Sequence, residues 1–324
     1  MTCERWPARR IRGWAAVPEL TEILPAGGAS ARLGDHAWPV VRDYVTLTKP
    51  RIMSLLVLTS VCAMVAAAHG TPRLGALAAL VVGGGLACGG ASALNHVLDR
   101  DIDRLMGPRT ASRPVAAGRI TPARATAFGI ALSSLSFVIL AVFANPLSAA
   151  LALSGGACYV LVYTVWLKRS TSQNIVIGGA AGAIPPLAGW AAAHGSLGLG
   201  AAYLFAIVLL WTPPHFWALA LLLAPHYKTA KIPMLPVVRG TSVTTRQVLA
   251  YTLALTVATL VPGLLGPFGL LYEVSAVLLG GMFCALAWRL WRQSTPARAG
   301  LLFHYSLLYL ALLFLAVAVD AAVG

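Results

Sequence analysis

The strongest constraint on this chain is a succession of apolar segments, each close to the length that crosses a bilayer and each followed by a short polar connection. A helix needs roughly 20 apolar residues to span about 30 Å of hydrocarbon, and the segments lack the strict alternation of barrel strands. Only 10% of the residues are charged, against about 25% in a typical soluble domain. The sequence therefore predicts an all-α membrane protein, a bundle of nine transmembrane helices. The nine predicted segments are residues 52–69, 74–95, 122–143, 147–166, 174–194, 200–223, 248–269, 271–291 and 301–321.

The distribution of basic residues supports this count. The chain holds 24 Lys and Arg but only 10 Asp and Glu. With nine spans and a cytoplasmic N-terminus, every Lys and Arg except Arg73 lies on the cytoplasmic side, as the positive-inside rule requires. The pattern predicts a multi-pass protein whose C-terminus is outside. Because the basic residues lie in short loops between spans, they indicate topology and argue against nucleic-acid binding.

The first 42 residues differ from the rest of the chain. They are rich in Arg, Pro and Gly, and they lack the apolar core of a secretory signal. We expect a disordered or interfacial N-terminal tail over residues 1–42, followed by the nine-helix domain over residues 43–324.

Three of the acidic residues occupy five positions at the end of the second span: Asp99, Asp101 and Asp103. On a helix, Asn95, Asp99 and Asp103 advance by about 40° per step and line one face, whereas Asp101 points elsewhere and is free to pair with a nearby arginine. Carboxylates at this spacing repel one another unless a cation lies between them. Mg²⁺ prefers such oxygen ligands and completes its shell with water and phosphate. We predict that Asn95, Asp99 and Asp103 hold Mg²⁺ and are the catalytic residues.

Basic residues beside this cluster supply the other half of a phosphate site. Arginine binds phosphate oxygens through a planar fork that lysine lacks. The alternative is an amphipathic loop in which Asp and Arg only neutralise one another, but polar clusters where membrane helices meet tend to be functional. The predicted substrate-binding cations are Arg109, Arg113, Lys168 and Arg169.

A metal–diphosphate site that opens toward apolar helices predicts an amphipathic substrate, a prenyl diphosphate whose tail lies in the bundle. Diphosphate is then the leaving group, and Mg²⁺ and the arginines stabilise its developing charge. The resulting allylic cation needs a dry cavity with aromatic faces. Candidate aromatic residues, each also typical of ordinary helix packing, are Tyr159, Tyr163, Trp211, Phe216 and Trp217.

The Asn-x3-Asp-x3-Asp pattern of residues 95–103, followed by Arg109-Thr110 and Arg113-Pro114, resembles the UbiA superfamily of intramembrane prenyltransferases. Further stretches narrow the resemblance to the branch that farnesylates haem. They are DYVTLTKPR at residues 43–51, the run of residues 163–190, WTPPHFW at residues 211–217 and IPMLPV at residues 232–237. The resemblance covers about residues 43–315, essentially the whole membrane portion.

The resemblance implies a bundle with a central cavity in the bacterial cell membrane. It also implies transfer of a farnesyl group from farnesyl diphosphate to a vinyl group of haem B, with water addition, to give haem O. Haem-oxidase assembly proteins are possible partners. For haem contact we single out His215, in an apolar segment rich in Trp, with a hydrogen-bonded structural histidine as the alternative. Lys228 is a candidate for binding diphosphate or a haem propionate.

The sequence departs from the family pattern in two places. One extra residue precedes Arg109, and residues 225–228 lack the acidic residue of the superfamily's second Asp-rich loop. No carboxylate occurs between Asp103 and Glu273. This absence counts against the first alternative, a UbiA-type enzyme with an aromatic, quinone-precursor acceptor. The second alternative, a transporter, predicts binding residues near mid-membrane, whereas these carboxylates lie at one end of a span.

Overall fold

The computed structural model describes residues 33–266 and 268–323, and this part of the chain is helical with no strand. Most of the predicted N-terminal tail lies outside the described residues, and its last ten positions belong to the first helix. The tail and the boundary at residue 42 stay predictions. The helices are α1 (Leu33–Thr48), α2 (Pro50–Ala67), α3 (Leu74–Leu98), α4 (Arg100–Leu105), α5 (Pro108–Ala111), α6 (Pro122–Phe143), α7 (Pro146–Ala157), α8 (Lys168–Ser170), α9 (Asn174–His194), α10 (Leu199–Thr229), α11 (Leu235–Val238), α12 (Gly240–Leu265), α13 (Leu270–Arg292) and α14 (Pro296–Val323).

Helix starts follow from local sequence. Pro50, Pro122 and Pro146 each open a helix, where the missing backbone N–H costs nothing and the fixed φ is already helical. Two of these helices also have a side-chain cap: the hydroxyl of Thr121 accepts from the third residue of α6, and the Asn145 carbonyl oxygen accepts from the third residue of α7. These signals explain why the predicted segments at residues 52–69, 122–143 and 147–166 begin within two residues of the observed helices.

Eight helices in the described part of the chain are long and apolar enough to cross a membrane. They correspond to eight of the nine predicted segments, and two of those, residues 122–143 and 174–194, match α6 and α9 to the residue. The remaining predicted segment, residues 248–269, falls largely within α12, which is not one of the eight. The all-α, multi-pass fold is therefore confirmed, and the number nine stays a prediction.

Helix α9 is packed tightly between α2 and α10. A Cβ on Gly189 would overlap the carbonyl group of Ser60, so α2 and α9 meet at a glycine. The Ser60 hydroxyl donates to the carbonyl of Pro185 at 2.8 Å, and the Ser148 hydroxyl donates to the carbonyl of Ala188 at 2.8 Å. Hydroxyl groups of α2 and α7 thus bind backbone carbonyls of α9.

The largest buried apolar cluster joins α2, α9, α10, α12, α13 and α14 and contains Trp217, Phe283 and Tyr309. Large apolar side chains such as Val257 and Leu278 remain exposed on the outer surface, as expected for helices that face lipid.

At one end of the bundle, the turn between α4 and α5 closes against the end of α10. Gly107 has φ 119°, which favours glycine, and a Cβ there would lie 3.1 Å from the ring of His226. This contact brings the chain that follows α3 onto the same end of the molecule as the end of α10.

Candidate active site

The chain passes from α3 to α4 through Asp99 without losing helical register. The amide of Asp99 donates to the carbonyl of Asn95 at 2.9 Å, and the amide of Asp103 donates to the carbonyl of Asp99 at 2.8 Å. The four-residue spacing therefore places Asn95, Asp99 and Asp103 on one face, as predicted. All three are buried, with exposures of 3%, 1% and 1%.

Asp99 lies at the centre of a buried polar network. Its Oδ2 accepts from Lys168 Nζ at 2.6 Å and from Asn95 Nδ2 at 2.7 Å. Asn95 Nδ2 also donates to the hydroxyl of Thr164 at 3.1 Å. The second carboxylate oxygen of Asp99 is buried and has no hydrogen-bond partner in the described part of the chain. The predicted cation Lys168 is thus in direct contact with the acidic cluster.

Asp103 has a second cation. Its Oδ1 accepts from Arg113 at 2.6 Å, and its Oδ2 is buried without a partner among the described residues. Burial raises the pKa of the Asp103 carboxyl, although the neighbouring Arg113 acts in the opposite direction. The hydroxyl of Thr110 donates to the backbone carbonyl of Asp103 at 2.7 Å, which holds α5 against α4. The structure therefore unites Arg113 with the predicted metal ligands.

Lys49 is a member of the site that the predicted residue set omits. Its Nζ donates to Asn95 Oδ1 at 2.9 Å. Burial, together with the positive charges of Arg113 and Lys168, lowers the pKa of Lys49 to about 7. Lys49 has φ 51°, a left-handed conformation that side chains other than Gly and Asn rarely adopt. Lys49 lies between α1 and α2, where the chain turns into the first span.

Asp101 faces away from the cluster, as predicted. It is 59% exposed at its side chain, and both of its carboxylate oxygens accept from Arg169 at 2.8 Å. This fork of two hydrogen bonds lowers the pKa of Asp101 to about 2. Arg169 also donates to the carbonyl of Leu98 at 2.8 Å, so it fixes the end of α3 from outside the cluster.

A ten-residue π-helical stretch, Cys158–Leu167, connects α7 to α8 and directly precedes Lys168. The hydroxyl of Thr164 donates to the carbonyl of Tyr159, five residues earlier, at 2.9 Å, in keeping with the wider turn. The stretch supplies Thr164 to Asn95 and ends at the lysine that binds Asp99. The π-helix is rare and is frequently found at functional sites, so this element supports the location of the site.

Other predicted substrate-binding residues lie outside this network. Arg109 on α5 and Lys228 near the end of α10 are exposed. His215 is buried on α10 against α14, where its ring stacks on Trp211 at 4.3 Å and on Phe303 at 4.8 Å between centroids. Their roles toward a substrate stay predictions.

The hydrogen bonds of Ser306 define which nitrogen of His215 is protonated. The Ser306 hydroxyl donates its one proton to the carbonyl of Phe303 at 2.6 Å, and its oxygen lies 2.7 Å from His215 Nδ1. That oxygen must therefore accept from Nδ1–H, which leaves Nε2 with a lone pair. Because both ring faces are covered, Nε2 is the one edge of His215 able to meet a ligand.

The fit of Mg²⁺ to this site rests on the two unpartnered oxygens of Asp99 and Asp103. Mg²⁺ is commonly held by one or two carboxylates plus phosphate and water, so two free carboxylate oxygens suit it. Among the described residues, no group of three or more His, Cys, Asp or Glu side chains is placed to hold a metal. The oxygen of Asn95 binds Lys49, so its use as a third ligand requires Lys49 to move.

Known proteins resemble this chain over most of its length. The chain matches the UbiA prenyltransferase family over residues 56–317. The chain belongs to the UbiA prenyltransferase family. Among curated relatives, a protoheme IX farnesyltransferase of Symbiobacterium thermophilum is 49% identical over 294 residues, covering 90% of this chain and 98% of the relative. One of Roseiflexus sp. (strain RS-1) is 50% identical over 284 residues, covering 88% of this chain and 53% of the relative. Several curated relatives are longer proteins. The chain spans about half the length of those from Roseiflexus and Thermus thermophilus.

Solved structures share the fold. A digeranylgeranylglyceryl phosphate synthase aligns with TM-score 0.73 at 17% identity, covering 88% of this chain and 99% of that chain. A UbiA homologue from Archaeoglobus fulgidus, bound to GPP and Mg²⁺, aligns with TM-score 0.60 at 15% identity, covering 85% of this chain and 99% of that chain. This UbiA prenyltransferase is thus an all-helical membrane protein of the same architecture.

Proposed function

We propose that this chain transfers the farnesyl group of farnesyl diphosphate to a vinyl group of haem B, with water addition, and releases haem O and diphosphate. The choice of haem and farnesyl is supported by the relatives at 49% and 50% identity, which are named protoheme IX farnesyltransferases. The structural observation that carries the proposal is a pair of buried carboxylates with three partly buried cations around them, at the junction of α3 and α4.

The cations of this group bind the diphosphate. Arg113 and Lys168 neutralise Asp103 and Asp99, and Lys49 donates a hydrogen bond to the side-chain oxygen of Asn95. As the allylic C–O bond breaks, its electron pair leaves with the diphosphate. The three cations stabilise that negative charge, and their partial burial strengthens the interaction because it reduces screening by water.

Asp99 and Asp103 are the residues that would hold Mg²⁺, with the Asn95 oxygen joining them once Lys49 turns toward the diphosphate. When bound, Mg²⁺ supplies a Lewis acid for the leaving diphosphate. The UbiA homologue bound to GPP and Mg²⁺ supports this assignment. Arg109, Arg169 and Lys228 remain proposed contacts for the substrate from the exposed side of the site.

The acceptor supplies the electrons for the new bond. The π electrons of the haem vinyl group attack the allylic carbon, and water adds to the cation that results and loses a proton. This chemistry needs no covalent intermediate with the protein, so the residues have to orient the two substrates and exclude early water. We propose that His215 contacts the porphyrin through Nε2, the edge that the hydrogen bond from Nδ1 to Ser306 leaves free.

We further propose that the protein lies in the bacterial cell membrane with its N-terminus in the cytoplasm and its C-terminus outside. The basic residues of the loops support this orientation. In that orientation, the acidic cluster faces the cytoplasmic side, where a soluble diphosphate product is released. Haem-oxidase assembly proteins are the proposed partners on the product side.

The test uses the purified chain in detergent with farnesyl diphosphate, Mg²⁺ and either haem B or 4-hydroxybenzoate. We expect haem O by mass spectrometry, and loss of product when EDTA removes the metal. A prenylated 4-hydroxybenzoate with no haem O would instead identify an aromatic acceptor and contradict the proposal.

A further inference from the structure

A second polar cavity lies apart from the aspartates at the start of α12. It has a volume of about 270 Å³. It lies between the connection from α8 to α9, α10, α11 and the first turns of α12. Its polar lining residues are Ser172, Gln173, Trp217, Arg239, Gln247 and Tyr251.

The cavity holds a cation without an acidic neighbour. Arg239 takes part in none of the salt bridges among the described residues. The sequence explains why, because no Asp or Glu occurs between Asp103 and Glu273, a range that contains every element lining the cavity. A guanidinium in such a recess is therefore available to an anion that comes from outside the chain.

The remaining polar groups suit the same ligand. Trp217 is 1% exposed, and its indole Nε1–H is buried without a hydrogen-bond partner in the described part of the chain. Gln173 and Gln247 add amide N–H donors to the lining. Because carboxylates accept such hydrogen bonds readily, the lining offers one charge and several donors to a carboxylate ligand.

The cavity is also close to the acidic cluster along the chain. Ser172 lines it, and Lys168, four residues earlier, donates to Asp99. Four residues span at most about 14 Å, so one ligand of moderate size is able to reach from the neighbourhood of Asp99 to this cavity.

We propose that the cavity at Arg239 binds a carboxylate side arm of the prenyl acceptor, namely a propionate of haem B. This inference rests on the proposed function. It assigns acceptor recognition to the start of α12, separate from diphosphate recognition at the end of α3. It also explains why a chain that lacks acidic residues over this range presents an arginine and two glutamines around one recess.

The test compares the whole 324-residue wild-type chain with Arg239→Gln in detergent. Binding of haem B is titrated by its visible absorbance without farnesyl diphosphate, and KM values are measured for both substrates. The second ligand is the dimethyl ester of haem B, in which both carboxylates are blocked. The control is Arg246→Gln, which removes the same charge from an exposed position on α12, outside the cavity lining. Thermal unfolding and gel filtration check that the variants are folded.

We expect Arg239→Gln to weaken haem binding by about tenfold or more, as loss of a hydrogen-bonded charge does, and to leave the KM for farnesyl diphosphate unchanged. The ester should bind the wild type as weakly as haem B binds the variant, and the two losses should not add. The inference would be overturned if Arg239→Gln bound haem as tightly as Arg246→Gln, or if it raised only the KM for farnesyl diphosphate. In either case, haem turnover by the wild type would still uphold the proposed function. A wild type that neither binds nor prenylates haem B overturns both.

Discussion

At the scale of single residues, Asp99 and Asp101 offer a matched comparison of two carboxylates that point in opposite directions at the junction of α3 and α4. Asp99 is buried against Lys168, whereas Asp101 is exposed and pairs with Arg169. We predict that Asp99→Asn lowers kcat/KM by about 100-fold or more, because it removes a buried charge that would hold the metal and orient Lys168. An exposed ion pair contributes at most about 1 kcal/mol, so Asp101→Asn should cost less than about fivefold.

The measurement is haem O formation at saturating and limiting farnesyl diphosphate, with circular dichroism to confirm helical content in both variants. Equal activities of the two variants would remove Asp99 from the catalytic machinery.

The different orientations of Asp99 and Asp101 could be predicted from sequence, since helical geometry alone separates the two positions by about 200°. The place of Lys49 in the site could not be predicted from sequence. A residue before proline usually adopts an extended backbone, and the left-handed conformation of Lys49 is a consequence of tertiary structure.

At the scale of helices, the contact between α2 and α9 depends on the absence of a side chain at Gly189. A Cβ there would overlap the backbone carbonyl of Ser60, and backbone has little freedom to move. We predict that Gly189→Ala destabilises the protein by about 1–3 kcal/mol, the usual cost of overpacking. The control is Gly182→Ala on the same helix, where a Cβ would meet nothing within 4 Å. Because alanine is the better helix former, this control should be neutral or slightly stabilising.

Thermal unfolding of both variants in one detergent gives the comparison, and a lower midpoint for Gly182→Ala than for Gly189→Ala would contradict the close approach of α2 and α9.

The sequence predicts the position of a helix such as α9 well, because the length of the apolar segment and the Pro and Asn residues near helix starts are visible in it. The π-helical stretch before Lys168 has no comparable signal in the sequence. Its wider turn is stabilised by contacts such as the hydrogen bond between Asn95 and Thr164, which join residues far apart in the chain.

At the scale of the whole molecule, local pattern and tertiary structure contribute differently to the two polar sites. The acidic cluster is visible in the sequence because its members are four residues apart on one helix. The cavity at Arg239 is not, because its lining comes from segments separated by more than 60 residues of chain, such as Ser172 and Gln247. The number of spans is only partly predictable from the sequence. Eight helices of the described residues are long and apolar enough to span, and a ninth span depends on α12.

Helix α12 therefore decides where the C-terminus lies. Its 26 residues rise by about 1.5 Å each, giving about 39 Å, which exceeds the roughly 30 Å of hydrocarbon. We predict that α12 crosses the membrane and that the C-terminus lies on the opposite side from the acidic cluster. A green fluorescent protein fused in the connection between α5 and α6 should fluoresce, because that connection is cytoplasmic. Alkaline phosphatase fused after Val323 should be active, because it is exported. A fluorescent fusion after Val323, with an inactive phosphatase at the same position, would mean an even number of spans, and α12 would then lie within the membrane without crossing it.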